Sequence, residues 1–577
     1  MESSGYPRLP RSSPAHLTSP RKIITETVKS PPPPPARHSS QRLTALLQSY
    51  VAWLEVPVHS STIAVFRMLY ALCVLAQLAK WQDMFVEFHA SYVVLPYPGM
   101  GWVRPLSVRG GSVLLGTCAA AAVLQLVGLA TAAATPVMWL TFAWLFHICE
   151  SNHNNHYLLM CHVLFVGSFI GWGRWMSLDQ AILARLGRRR DPRVPRWHLL
   201  AMRLLFSIPY LYGAFAKMNH DWLFRAQPLI MWFEPRGGLY SNPLFPWFIA
   251  WSGMLFDLVI AFLLFYRKTR YIIAFPAAVF FNTCNKIMFN IGVFPLMMIA
   301  SLILFLEPHH PAQLVAHILR RKAYGLPDRS EDGSLDGDSD KLNKPRAHER
   351  RFGPLTARQW WTAIFFTSFC TFHALFPLRH FVLYRSNPSW TEEGHFGAWH
   401  MKLRSKRGST VLIIEEMNGM KHMLAPAEDN FVNNAQKRKL EDKPHVLLLY
   451  VGRLKMVFEA ASRPLKSVKV MSCFALNSRP SRQLYIPTAN LLDYVGKYEL
   501  IGVTGVGKWI YADGEGPLCK PQDLRIYNPT EARKTFDEIH TQAGVFSSYG
   551  SVTHRKEVTR RVADGVFEEA YLWPMFE

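Results

Sequence analysis

The chain has 577 residues, a formal net charge of +23 from 64 Lys and Arg against 41 Asp and Glu, and 50% hydrophobic residues. That length excludes a small secreted scaffold, and 18 Trp, 21 Tyr and 37 Phe carry more apolar surface than a disordered chain holds. Eight cysteines are too few for a disulfide framework; six (Cys73, Cys118, Cys149, Cys161, Cys284, Cys370) lie in apolar stretches as small hydrophobes, and only Cys473 and Cys519 look able to pair.

Residues 1–48 are rich in Pro, Ser and Arg, with Pro31 to Pro35 in a row, and hold no apolar window that could act as a signal peptide. They read as a disordered cytoplasmic tail. Beyond them the mean hydropathy of +0.04 averages two populations: windows of about twenty residues almost without charge, and loops crowded with Arg and Lys. That split marks a polytopic α-helical membrane protein. No charged residue occurs from Ser112 to Cys149, nearly twice the length that a ~30 Å hydrocarbon core needs at ~1.5 Å per residue. The run is therefore expected to be two spans turning at Thr131 to Pro136. Further spans are expected near 62–81, 157–173, 198–216, 246–266, 271–288, 289–306 and 359–379, about nine in all. Arg203 and Pro209 interrupt the fifth.

Loop charge sets the expected orientation. From a cytoplasmic N-terminus, the even-numbered crossings return the chain inside at 131–136, 174–196, 267–270 and a basic loop at about 318–356, and three of these four loops are Arg-rich. The ninth crossing then delivers residues 381–577 to the lumen of the endoplasmic reticulum. There the runs Thr410–Ile414, Val446–Val451 and Val468–Val470, separated by Asn, Gly and Pro turns, predict strands of a lumenal α+β domain. The expected organisation is a tail at 1–48, a transmembrane helical domain at 49–380 and a lumenal domain at 381–577. Topology accounts for most of the positive charge, so a nucleic-acid partner is not needed.

Polar residues at membrane depth are costly, and two clusters of them fall on the lumenal side. The first runs from His147 to His156. His153 and His156 are one helical turn apart, but no further histidine box accompanies them, so no metal site is expected. The second is Ala216-Lys217-Met218-Asn219-His220-Asp221-Trp222, at the end of the fifth span. A lysine there either snorkels to the headgroups or, packed against apolar protein, becomes a desolvated amine able to act as a base.

Asn154-Asn155-His156, the segment at 216–222, Phe281 to Pro295 with its Ile-Gly-Val-Phe-Pro ending, Asp257 before an apolar run, and Ser389 to Trp399 (SWTEEGHFGAW) occur in consistent order between about residues 50 and 495. They resemble the vitamin K-dependent gamma-carboxylase family, which carries a horizontally transferred transmembrane (HTTM) domain, in its invertebrate and bacterial branch. The resemblance implies an endoplasmic reticulum enzyme that oxygenates vitamin K hydroquinone and uses the energy released to add carbon dioxide to protein glutamates. A glutamate γ C–H is too weak an acid for any side-chain base, so the oxygenated quinone must supply a stronger one. Lys217 matches the family's base lysine, and His156 the histidine that steadies a developing oxyanion. Asn154, Asn155, Trp222 and Asn285 are implied at the cofactor, and His380, Trp390 and Trp399 at the glutamate substrate. Expected partners are a glutamate-containing protein or peptide, membrane lipid as the quinone reservoir, and an enzyme that recycles vitamin K epoxide.

Departures from the animal members leave two other readings open. Asn282 stands where the family usually has a histidine and cannot titrate, the animal lumenal disulfide is missing, and no long extension follows the lumenal domain. The alternatives are quinone or lipid-linked chemistry without protein carboxylation, and a non-catalytic membrane scaffold.

Overall fold

The computed structural model of the chain describes residues 37–89, 94–289, 291–319, 355–497, 505–520 and 527–543. The chain divides near residue 49. On the N-terminal side, residues 37–49 begin the helix Arg37–Leu54, in which Leu43, Leu46, Leu47 and Tyr50 recur at helical spacing. The end of the stretch expected as a solvated tail is therefore helical, and residues 1–36 lie outside the described residues.

Each apolar segment picked out by hydropathy is helical. In chain order these helices are α1 (Ser61–His89), α2 (Val108–Val127), α3 (Thr131–His147), α4 (Asn155–Gly167), α5 (Arg196–Lys217), α6 (Phe245–Phe265), α7 (Phe275–Met288), α8 (Phe294–Ser301) and α9 (Ala357–Leu375). Among the described residues five helical stretches are long and apolar enough to cross a membrane: 61–82, 109–127, 196–217, 245–265 and 357–383. The helices α3, α4, α7 and α8 are shorter, so nine crossings are more than helix length alone supports.

The turn in the long uncharged run comes earlier than expected. Gly128 adopts a left-handed conformation and its N–H closes α2 on the Leu124 carbonyl. Asp179 then accepts from Ala130 N at 2.7 Å and Thr131 N at 3.0 Å, so a carboxylate from the first turn of the helix Leu178–Arg185 caps α3. Pro136 lies one turn inside that helix. Nor do Arg203 and Pro209 break α5. The Arg203 guanidinium donates to the carbonyls of Leu304 (2.7 Å) and Leu306 (2.9 Å), which satisfies the charge inside the bundle.

Strands β1 (Pro57–His59) and β2 (Arg193–Pro195) pair at one end of the bundle. The C-terminal part holds an antiparallel sheet of order β4-β3-β5, built from β3 (Lys406–Glu416), β4 (Lys421–Leu424) and β5 (Leu465–Leu476). Helices α10 (Asn434–Asp442), α11 (Pro444–Ala460) and α12 (Pro529–Gln542) accompany it. The expected strand Val446–Val451 instead lies in the first two turns of α11. Pro444 at its first position suits a helix start, and the run is buried almost all round, which hides the period that would distinguish helix from strand. Leu412, Ile414, Val468 and Val470 meet Val446, Leu447, Tyr450 and Leu454 in one core, each at 2% exposure or less. Burial of that extent stabilises by roughly 1.5–3 kcal/mol per large side chain. Cys473 and Cys519 form a disulfide that ties β5 to the segment at 505–520. The same core takes in Leu95, Val103, Ile148 and Cys149 from loops at one end of the helices, so the sheet layer is seated on that end of the bundle.

Candidate active site

The site begins where α5 runs out. Lys217 is its last residue, 12% exposed, and its ammonium pairs with Asp257 of α6, 4% exposed. Asp257 is the only acidic residue in α6. Gly213, one turn before Lys217, gives the pair room: a Cβ there would lie 3.1 Å from the Asp257 Oδ2 atom, close enough that the carboxylate would have to shift by a few tenths of an ångström. Trp222 follows in a short helix capped by Asn219, and its indole N–H donates to the Ala250 carbonyl at 2.8 Å. The Lys217 Nζ lies 5.8 Å from the Trp222 ring centre and 5.9 Å from that of Phe281. The lysine thus meets an acidic partner and two aromatic faces rather than open water.

The loop before α4 brings the second group. Asn155 and His156 open the helix and are buried at 8% and 5%. Asn155 Nδ2 reaches the His400 carbonyl at 3.5 Å, while Asn155 Oδ1 and His156 Nε2 are buried without a hydrogen-bond partner among the described residues. Gly292 covers the imidazole in a left-handed turn (φ 63°) where a Cβ would stand 3.4 Å from Nε2.

Both groups border one cavity of about 680 Å³, together with Asn154, Trp222 and Asn285. All six residues assigned to catalysis or to the cofactor therefore converge. Asn282, the departure from the family pattern, keeps a bonding role: its amide donates to Tyr210 Oη at 2.9 Å and to the Ala278 carbonyl at 2.8 Å. Its Oδ1 and Asp257 Oδ1 are further buried acceptors without a partner among the described residues. Buried polar atoms are normally satisfied, so four such atoms around one cavity mark a place for a ligand with polar groups. One wall is apolar. Phe248, Phe280 and Ile287 border the cavity and are exposed on the outer surface of their helices. The lining also holds the basic residues Lys402, Arg404, Lys439 and Lys443, of which Arg404 is paired with Glu392 at 2.6 Å and Lys443 with Glu150 at 3.2 Å.

The residues expected at the peptide substrate are not brought to this cavity. Trp390 is 3% exposed, and its indole donates to the Tyr511 carbonyl at 3.0 Å. Trp399 is 2% exposed within the helical core. Both act as packing, as aromatic residues at a junction between layers commonly do. His380 borders a separate cavity.

Sequence reasoning missed the basic residues of the cavity lining, which lie in the C-terminal part far from the membrane motifs. It also missed a buried clasp that holds the loop of His156. Glu150 accepts from Lys443 Nζ at 3.2 Å and pairs with the His445 ring, both at the start of α11. Burial alone would raise the Glu150 carboxyl, but His445 and Lys443 beside it outweigh that and hold it well below the usual carboxylate range. Burial, reinforced by the Lys443 ammonium, pushes His153 down to about 3, so its ring is neutral.

Residues 56–310 match the HTTM domain, and residues 358–500 match the lumenal domain of vitamin K-dependent gamma-carboxylase. No solved structure matches the chain. The two matches together take in more than half of the residues and span both the helical part with Lys217 and His156 and the sheet part seated on it. The chain is a membrane protein that belongs to the vitamin K-dependent gamma-carboxylase family.

Proposed function

We propose that the protein is a vitamin K-dependent glutamyl carboxylase and epoxidase. The observation that carries this reading is the cavity itself: a sealed lysine–aspartate pair, a buried imidazole with an unpartnered nitrogen, and an apolar wall open to the bilayer side. When bound there, the reduced quinone supplies with oxygen a base stronger than any side chain. The orphaned atoms of Asn155, His156 and Asn282 fit a ring bearing oxygen substituents, and Trp222 and Phe281 flank it.

Lys217 receives a hydroxyl proton at Nζ. Asp257 is placed to take the proton that Lys217 carries in the ion pair, which leaves an amine free for that task. His156 Nε2 donates to the oxygen where charge develops, while Asn155 Oδ1 accepts from a ring hydroxyl before its proton leaves. Lys402 and Lys439 draw an acidic side chain to the basic part of the lining, where Arg404 is already paired with Glu392. That provision for an acidic as well as a lipophilic substrate favours protein carboxylation over quinone chemistry alone. Asn154 and Asn285 complete the polar lining.

We place the sheet-bearing part in the lumen of the endoplasmic reticulum and the N-terminus in the cytoplasm. Arg-rich loops on the other side of the helices and the Cys473–Cys519 disulfide on this side support that orientation. Protein purified in detergent, given reduced vitamin K, labelled carbon dioxide and a glutamate peptide, is expected to form epoxide and label the peptide together. Epoxide without label would reduce the reading to quinone oxidation, and neither product would overturn it.

A further inference from the structure

Beside the lysine cavity lies a second one of about 510 Å³, bounded by the end of α5, the residues after α9 and the sheet layer. The two share a single bordering residue, His400. Its ring lies 5.0 Å, centre to centre, from that of His380, which borders only the second cavity, and 5.8 Å from that of His395, which borders only the first. The three imidazoles therefore make a line that crosses the partition. Their polar atoms are not committed to packing. The Nδ1 atoms of His395 and His400 are buried without a hydrogen-bond partner among the described residues. His380 donates Nδ1–H to the Pro377 carbonyl at 2.8 Å, which fixes that tautomer and leaves Nε2 as the basic nitrogen. The second cavity is lined by Arg385, Ser386 and Asn387, polar residues that suit water.

The function proposed above demands such a line. A proton taken by Lys217 has to leave once per turnover, yet the lysine's surroundings are a carboxylate, aromatic rings and lipid-facing side chains. Resting on that reading, we infer that His395, His400 and His380 relay this proton from the lysine cavity to solvent in the second cavity. Each imidazole accepts a proton on one ring nitrogen and gives one up, from the other nitrogen or, at His380, from Nε2 to water. Every ring ends neutral, and no other reactant is consumed. Burial lowers both, His395 strongly with Arg404 beside it and His400 to about 3 with His380 and then Arg404 beside it, so neither ring traps the proton it carries.

The test compares wild type with His400→Asn, His400→Gln and His380→Asn, which keep hydrogen bonding but cannot titrate. Epoxide formation is followed at saturating quinone, with and without 4-methylimidazole in the buffer. A relay predicts a fall in kcat of about 100-fold at unchanged quinone KM, the lower end of the usual range for losing a proton-transfer group, and partial recovery with the added imidazole. Recovery of that kind does not follow from lost packing. Variants within twofold of wild type, or a fall that imidazole does not relieve in protein of unchanged melting temperature, would overturn the relay while leaving the carboxylase reading intact. For His380, a raised peptide KM at unchanged kcat would instead make it a substrate contact. Wild-type protein that forms no epoxide would remove the proton source and sink both.

Discussion

Lys217 and Asp257 are each other's charge partner inside the bundle, so removing one has two separable effects. Lys217→Ala is expected to abolish epoxide formation and also to leave Asp257 buried without a cation, a defect on the order of 3–5 kcal/mol for a buried pair broken on one side. The double variant Lys217→Met/Asp257→Asn, with no stranded charge, is expected to recover most of that stability and none of the activity. Melting temperatures in detergent beside epoxide assays check this. A double variant that remains as unstable as the single would show that the pair is not what holds α5 on α6. His156 differs because its Nε2 has no partner among the described residues to strand. His156→Ala is expected to keep wild-type stability within about 1 kcal/mol and to lower kcat roughly 10²-fold, the loss typical of one donor to a developing oxyanion. Equal losses in stability and activity would mark the ring as packing against Tyr157 and Phe294 instead.

The loop between α3 and α4 has almost no regular structure of its own, and its position depends on Glu150. The Glu150 N–H is held by the Leu95 carbonyl at 2.8 Å, its carboxylate by Lys443 and His445, and Gln436 reaches the Cys149 sulfur at 3.8 Å. Glu150→Gln is therefore expected to lower both the melting temperature and kcat, since the clasp sets where α4 begins and hence where His156 points. Acid acts on the same joint. His153 is held below its unfolded value of about 6.5, so the unfolded chain binds a proton that the folded chain refuses, and stability falls as pH drops from about 6.5 towards 3. Glu150, also depressed, adds a further loss below about 4.3, its unfolded value. The slope is at most about 1.4 kcal/mol per pH unit for each proton withheld. His153→Gln is expected to flatten the melting-temperature profile between pH 7 and 5, and an unchanged profile would remove His153 from the account. None of this joint was legible in the sequence, because Glu150 and Lys443 are 293 residues apart and nothing local marks them as partners. The helices were legible because hydrocarbon demands long uncharged runs, and so was Lys217, conspicuous as the charge that ends one. The basic residues of the cavity and the helix at Pro444–Ala460 were not, since a run buried on every side shows neither period.

The proposed chemistry needs the sheet-bearing part to face an oxidising compartment where secretory proteins pass, and this is open to a direct test. The turn between β3 and β4 is exposed at Met417 and Met420, with Asn418 Oδ1 accepting from Met420 N at 2.9 Å. Met420→Thr turns Asn418-Gly419-Met420 into a glycosylation acceptor on that surface. On the other side, Gly187→Asn with Arg189→Thr does the same in the Arg-rich segment after α4. Gly187 has φ 69° with nothing within 4 Å of a Cβ, a conformation that Asn tolerates better than most residues. Expressed in cells with an endoplasmic reticulum, Met420→Thr is expected to gain an endoglycosidase-sensitive increase in mass and the double substitution none, because basic loops stay on the cytoplasmic side. The reverse pattern would invert the orientation and place the sheet-bearing part in the cytoplasm. Modification of both would mean an even number of crossings between residues 187 and 420, which removes one of the apolar helices in that interval from the set that spans. The pattern of two labels therefore decides the orientation and whether the crossings between the two sites are odd or even in number; with three long helices in that interval, an odd number means that α7 and α8 both cross the bilayer or neither does.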